Sequence, residues 1–336
     1  MSLRRSAVAA LAALALAGCG SQAAPGTADQ PGADAPINVV ASTDVYGSIA
    51  DAVGGDRVTV EALITDPAAD PHSYESTPAD AATVADAAIV VFNGGGYDPF
   101  VPQLVEAAGG ERTVIEAVAL PGLAPAEGEA AEQPAPAEEH AEEGHAEEGH
   151  AEGEAPAHDH GAFNEHVWYD LPTVQKVATQ LATELGAIDA ANAAEYTANA
   201  EAFNAEVGEL LTRAQAIGTA QSGARVAATE PVAGYLIEAA GLTDVTPAEF
   251  AEAIEEDTDP PAAVVAETLA LFTGDPVRAL IVNAQTQTPT TDQVRQAAET
   301  AGVPVVEVTE TLPDDADYVT WMGGQIDALA GALDGS

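Results

Sequence analysis

Basic residues, cysteine and aromatic residues are all scarce in this 336-residue chain. Nine Lys and Arg stand against 55 Asp and Glu, which gives a formal net charge of −46. Because nucleic acids and anionic membrane surfaces attract proteins through Lys and Arg, this charge argues against both as partners. The single cysteine excludes an internal disulfide and any metal site built from several cysteines. Cations are the partners that the composition favours.

A long apolar run is present at the start of the chain, and no later stretch is long and apolar enough to span a bilayer. Two arginines precede the apolar segment from Ala7 to Leu16, whose length is typical of a signal peptide. The segment leads into Leu-Ala-Gly-Cys19, which resembles the lipobox of bacterial lipoproteins. We therefore expect a signal peptide over 1–18, lipid anchoring at Cys19, a flexible linker over 19–36, and an extracytoplasmic protein held to the cell membrane by its lipid. The alternative is a plain secretory signal with an incidental cysteine.

The rest of the chain alternates short β-branched runs with amphipathic helical segments. The runs 89–92 and 280–282 are continuously apolar, as expected of strands buried on both faces of a parallel sheet. This alternation predicts the α/β class, with two lobes of parallel sheet flanked by helices and joined by one long rigid helix. The expected division is an N-terminal lobe over 37–170, a connecting helix over 171–188 and a C-terminal lobe over 189–334.

A low-complexity insert over 121–161 interrupts this pattern. It holds 12 acidic residues between Glu127 and Asp159, no Lys or Arg, and five histidines over its whole length, namely His140, His145, His150, His158 and His160. Its apolar residues are small, so it cannot bury enough surface to offset the entropy of ordering, and we expect a disordered loop. Imidazole and carboxylate suit transition-metal ions, which predicts an auxiliary, low-affinity metal site. An acidic spacer without function is the alternative.

Three residues with metal-binding side chains lie where predicted strands end. His72 follows the second strand, His166 follows the fourth strand and the insert, and Glu230 follows the first strand of the second half. In doubly wound folds, ligands bind at the carboxyl ends of the strands. Two imidazoles and a carboxylate there predict a divalent metal site in the cleft between the lobes, although any single histidine could be an ordinary loop residue.

These residues resemble the zinc/manganese-type solute-binding lipoproteins of ABC importers over 37–333. The resemblance is carried by the Asp-Pro-His of Asp70-Pro71-His72, the His-x-Trp of 166–168, the long helix 171–185 after His166, the segment 229–235 and the His-rich loop before the second ligand. It implies His72 and His166 as the first two ligands and Glu230 as the third. The fourth position of the family is not matched, which leaves Gln287, Gln285, Asn283, a second oxygen of Glu230, or water.

The resemblance implies a receptor that is not an enzyme. It would bind a divalent transition metal as cargo, Zn²⁺ first and Mn²⁺ second, and deliver it to an ABC transporter permease, and we expect it to act as a monomer. Two other hypotheses stay open, an exported metal buffer or chaperone and a secreted zinc hydrolase. Against the hydrolase, the chain has no His-Glu-x-x-His and no Gly-x-Ser-x-Gly motif.

Deletion of Glu127–Asp159 should leave one tight metal site intact and remove additional weak ones, because the insert supplies only solvated imidazoles and carboxylates. Titration calorimetry of the intact and shortened proteins measures both classes of site. If the intact protein shows no weak sites, the insert is only a spacer.

Overall fold

The computed structural model describes residues 35–67, 69, 71–120 and 163–335. The predicted signal peptide, the Cys19 anchor, most of the linker and the His-rich insert lie outside these residues. No helix in the described ranges has the length and apolar character needed to cross a membrane.

The first lobe is a four-stranded parallel sheet of order β2-β1-β3-β4. Its strands are β1 (Ile37–Thr43), β2 (Val58–Ile64), β3 (Ile89–Phe92) and β4 (Thr113–Glu116), and its helices are α1 (Asp44–Gly54), α2 (Pro78–Asp86) and α3 (Phe100–Ala108). All four residues of β3 are buried because helices cover both faces of the sheet. Helix α2 starts with a capping box, in which Thr77 and Asp80 satisfy each other's backbone N–H.

Two long helices follow the first lobe, α4 (Leu171–Ile188) and α5 (Ala193–Ala220). They form an antiparallel hairpin, with Gln175 Nε2 donating to the Asn204 carbonyl at 2.8 Å. The expected connecting helix is α4, which the carboxylate of Asp170 caps. Helix α5, with 28 residues, packs on α1 of the first lobe and on α10 (Tyr318–Asp334) of the second, where Phe203 contacts Tyr318. Helix α5 therefore braces the two lobes, and α4 packs along it.

The second lobe repeats the strand order of the first, as β6-β5-β7-β8. Its elements are β5 (Arg225–Ala228), α6 (Gly234–Ala239), β6 (Thr243–Asp244), α7 (Ala248–Glu255), α8 (Ala262–Ala270), β7 (Leu280–Asn283), α9 (Pro289–Ala301), β8 (Val305–Val308) and α10 (Tyr318–Asp334). The predicted α/β class with two parallel sheets is confirmed. The sequence pattern predicts helices at 232–240 and 261–271 but nothing between them, where the structure has β6 and α7. A two-residue strand and an eight-residue helix are too short for periodicity to reveal.

Hydrogen bonds between side chains and backbone groups tie the lobes together around the carboxyl ends of both sheets. Gln285 Nε2, after β7, donates to the Ala69 carbonyl of the first lobe at 2.8 Å. The Leu312 N–H, after β8, donates to Oδ1 of Asp44 at 3.1 Å. The cleft between the sheets is thus closed, and side chains at the two sets of strand ends face each other.

Asp98 organises the loop after β3. Its buried carboxylate accepts the N–H of Asn93 at 2.7 Å and the N–H of Gly94 at 2.8 Å, and burial raises its pKa to about 6. Gly94 has φ +81°, a conformation that glycine adopts without strain. The following residues bring Tyr97 into the core beside the cleft.

Asp98→Ala should lower the free energy of unfolding by about 2 kcal/mol, because two buried N–H groups lose their acceptor while the cost of burying a charge is relieved. Chemical denaturation of the purified protein measures the loss. Asp259→Ala, which truncates an exposed aspartate, serves as the control and should be neutral. Equal stability of the two variants would contradict the role given to Asp98.

Candidate metal centre

The two predicted histidines meet at the carboxyl ends of the first sheet. His72 lies in a short 3-10 turn (Pro71–Ser73) after β2, and His166 precedes a second such turn (Val167–Tyr169) after β4. Their ring centroids are 6.0 Å apart. His166 is fully buried and His72 is partly exposed. The strands β2 and β4 are the two edges of the sheet, so the loops after them converge over its centre.

The second lobe presents three carboxylates to these imidazoles. Glu230 follows β5, Glu310 follows β8, and Glu255 ends α7; the first two are 4% and 3% exposed. One donor atom each of His72, His166 and Glu310 lie within 4.8 Å of one another. Oε1 of Glu255 lies 3.2 Å from Nε2 of both histidines. Imidazole nitrogen and carboxylate oxygen therefore converge on one point from opposite lobes.

Asn164 fixes the orientation of His166. Its Oδ1 lies 2.7 Å from His166 Nδ1, so the imidazole donates there and directs Nε2 toward Oε1 of Glu255. The Asn164 amide also donates to the Pro231 carbonyl at 2.9 Å, and Tyr235 donates to the Asn164 carbonyl at 2.7 Å. The residue that orients one ligand thus also joins the lobes.

Asn283, at the end of β7, holds two of the carboxylates. Its Nδ2 lies 2.6 Å from Oε2 of Glu230 and 2.8 Å from Oε1 of Glu310. The remaining oxygens, Oε1 of Glu230 and Oε2 of Glu310, are buried and accept no hydrogen bond from the part of the chain that the structure describes. Buried oxygens without donors are costly, and a bound cation satisfies them.

Aromatic rings form the wall of the site on the first lobe. Tyr97 meets the His72 ring edge to face at 4.9 Å, and Trp168 meets the His166 ring in the same way at 5.1 Å. Both aromatic side chains are buried. Their packing restricts the two imidazoles and excludes water from behind the ligands, which strengthens electrostatic interactions in the site.

The site sets three carboxylates against two histidines, so without a cation burial favours the neutral, protonated forms of Glu230 and Glu310. Burial raises the pKa of Glu230 to about 8, with the charges of Glu255 and Glu310 adding to the shift. Burial also raises the pKa of Glu310. Burial alone would lower the pKa of His166, but the Glu255 and Glu310 charges raise it overall, and the histidines in turn hold the pKa of Glu255 well below its usual range. The arrangement favours an added cation.

Four residues were open as the source of the fourth ligand, and the structure places their side chains differently around the site. Glu230 faces the site. The side chain of Gln287 is exposed and its amide donates to the Ala284 carbonyl at 3.2 Å. Gln285 uses both ends of its amide, since its nitrogen donates to Ala69 and its oxygen accepts the Glu310 N–H. Asn283 presents its nitrogen, not its oxygen, to the carboxylates, so it supports the ligands.

Sequence reasoning missed Glu310, Glu255 and Asn164. Glu310 follows the predicted strand 303–308 directly, and the strand-end rule that selected Glu230 would have found it. Glu255 gives no such signal, because its helix was not predicted and it stands in a run of acidic residues. Asn164 was not predicted as the partner of His166, and the neighbouring carboxylate of Asp170 caps α4 instead. The auxiliary histidines His140, His145, His150, His158 and His160 lie outside the described residues.

Comparison with known proteins finds one matching family model, described as "ZnuA: Zinc-uptake complex component A periplasmic", over residues 39–332. The manganese-binding lipoprotein MntA of Halalkalibacterium halodurans is 24% identical over 198 residues, which are 59% of this chain and 54% of that protein. The chain therefore spans about half the length of this relative.

Solved structures share the fold. A crystal structure of ZnuA is 19% identical with a TM-score of 0.67, and the match covers 89% of this chain and 99% of that one. The solute-binding protein FpvC of Pseudomonas aeruginosa in complex with Mn²⁺ is 21% identical with a TM-score of 0.65, over 89% and 99% of the two chains. At these identities the likeness establishes the bilobed architecture.

Asn283→Ala should weaken Zn²⁺ binding by about 10- to 100-fold, because the two carboxylates lose the amide that positions them. Competition with a chromophoric chelator measures the affinity, and thermal unfolding checks that the variant folds. Gln287→Ala removes a nearby exposed amide and should bind like the unmodified protein. If Gln287→Ala weakens binding and Asn283→Ala does not, Gln287 is a ligand and Asn283 is not a support.

Proposed function

Because the chain belongs to the zinc-uptake complex component A (ZnuA) family, we propose that it is an extracytoplasmic receptor that captures one divalent transition-metal ion and delivers it to an ABC transporter permease. The observation that carries this proposal is the convergence of His72 and His166 from one lobe with Glu310 from the other, with buried Glu230 held beside Glu310 by Asn283. Such a buried set, with spare carboxylate oxygens, has a clear use as a cation cage.

Zinc is the favoured cargo and manganese the second. Zinc binds more tightly than manganese to almost any site of nitrogen and oxygen donors, so two imidazoles and two carboxylates should hold it more strongly. The carboxylates reduce the preference for zinc over manganese, because oxygen donors suit manganese. Relatives named for manganese binding and for zinc uptake both support a divalent transition metal.

A receptor fits the site better than a hydrolase does. A hydrolytic zinc site holds three protein ligands and keeps an open position for water. Here the side of both imidazoles that would face that water already faces Oε1 of Glu255 at 3.2 Å. The donors from the second lobe close the cleft over the position where a substrate would bind.

The N-terminal and insert features complete the proposal. Lipid attachment at Cys19 would keep the receptor beside its permease, and the relative MntA is named a lipoprotein. The five histidines of the insert would collect ions near the cleft at low affinity, with transfer to the tight site. A metal buffer would use the same sites without a permease, so delivery separates the two functions.

His72→Ala and His166→Ala should each abolish the tight site, because each removes one of the two nitrogen donors. Metal content after dialysis against Zn²⁺ or Mn²⁺ should fall from one ion per chain to none. His145→Ala, which removes a histidine of the insert, is the matched control and should retain one ion. Full metal content in both site variants would show that the cluster is not the metal centre.

Delivery is tested with vesicles that contain the cognate permease and internal ATP. Metal-loaded receptor should accelerate uptake of radioactive zinc, and loaded His145→Ala should match it. His166→Ala should give only the rate seen with free metal. If the loaded receptor binds the ion tightly and yet fails to accelerate uptake, the protein is a buffer and not a transport receptor.

A further inference from the structure

Glu255 is the one acidic side chain of the cleft that neither the sequence pattern nor the family resemblance suggests. It ends α7, an eight-residue helix that Phe250 and Ile254 anchor in the core of the second lobe. Its side chain is 7% exposed, and Oε1 lies 3.2 Å from the Nε2 atoms of His72 and His166. The contact crosses from one lobe to the other.

The position of Glu255 does not stabilise helix α7. A carboxylate at a helix C-terminus meets the negative end of the helix dipole, and burial adds a further cost. After α7 the chain turns at Asp257, whose φ of 52° is in the left-handed region. This strained turn comes two residues after Glu255, whose carboxylate enters the cleft. Adjacent Glu256 is exposed. One residue of an acidic pair is thus directed inward.

The distances match those between two ligands of one metal ion. Donors about 2.1 Å from a shared ion, at tetrahedral or octahedral angles, lie about 3.0–3.4 Å apart. Oε1 of Glu255 meets this condition toward both histidines at once. One carboxylate oxygen of Glu255 also lies within 4.8 Å of a carboxylate oxygen of Glu165 and a ring nitrogen of His72.

We propose that Glu255 is a further metal ligand, a third carboxylate from α7 that raises the coordination number above four. The proposal rests on the metal-receptor function stated above. With His72, His166, Glu230 and Glu310 it makes five protein donors, two of nitrogen and three of oxygen. Ions that take five or six ligands gain from the added oxygen, whereas zinc is satisfied with four. Glu255 therefore reduces the zinc preference of the site in favour of manganese.

Glu255→Gln is nearly isosteric and tests the ligand directly. The variant should bind Mn²⁺ at least ten-fold more weakly and Zn²⁺ by no more than about three-fold, as measured by chelator competition. Glu256→Gln makes the same change of charge one residue away on an exposed side chain and should match the unmodified protein for both ions. Equal affinities of Glu255→Gln and the unmodified protein, or tighter binding of both ions, would overturn the proposal.

A spectroscopic measurement reports the coordination number in the unmodified protein itself. Visible absorption of the Co²⁺-loaded protein should have the low intensity of five- or six-coordinate cobalt, and Glu255→Gln should shift it toward the intense bands of a four-coordinate site. An intense four-coordinate spectrum in the unmodified protein contradicts the proposal. If the unmodified protein binds no metal tightly, the receptor function itself fails, and that result is distinct from tight binding that is indifferent to Glu255.

Discussion

Buried negative charge facing two imidazoles is the constraint on which the rest of the structure depends. Glu230 and Glu310 are almost completely buried, and Glu255 joins them beside His72 and His166. In the absence of a cation such a group is expensive, because like charges repel and their solvation is lost. Neighbouring side chains offset part of this cost of burial. The Asn283 amide donates to two carboxylates, and the Asn164 oxygen accepts a hydrogen bond from one imidazole.

Repetition of one sheet order in both lobes explains how these side chains meet. In each lobe the first strand occupies an inner position with the second at one edge and the fourth at the other. His72 and Glu255 follow corresponding edge strands, and His166 and Glu310 follow the opposite pair. The central strands β3 and β7 lead into buried asparagines, Asn93 and Asn283. Two similar frames, placed face to face, thus supply nitrogen from one side and oxygen from the other.

The fold was predictable because its information is local. Continuous apolar runs such as 89–92 and 280–282 identify buried parallel strands, and the alternation with helices fixes the class. The positions of His72, His166 and Glu230 were predictable because each residue follows a recognisable strand. Their role as metal ligands stays a prediction. Glu310 also follows a predicted strand, so the same strand-end rule could have identified it. Glu255 was not, because its position depends on a two-residue strand, a short helix and a strained turn that only the packed lobe defines.

The division of donors between the lobes has a kinetic consequence. Among the described residues, the imidazoles of the cleft come from the first lobe and Glu230, Glu255 and Glu310 from the second. Parting of the lobes would therefore separate the two imidazoles from these three carboxylates in one movement. Helix α5 packs on both lobes and opposes that parting. In a receptor of the proposed function, a partner that separates the lobes would withdraw the second-lobe carboxylates together and so unload the ion in one step.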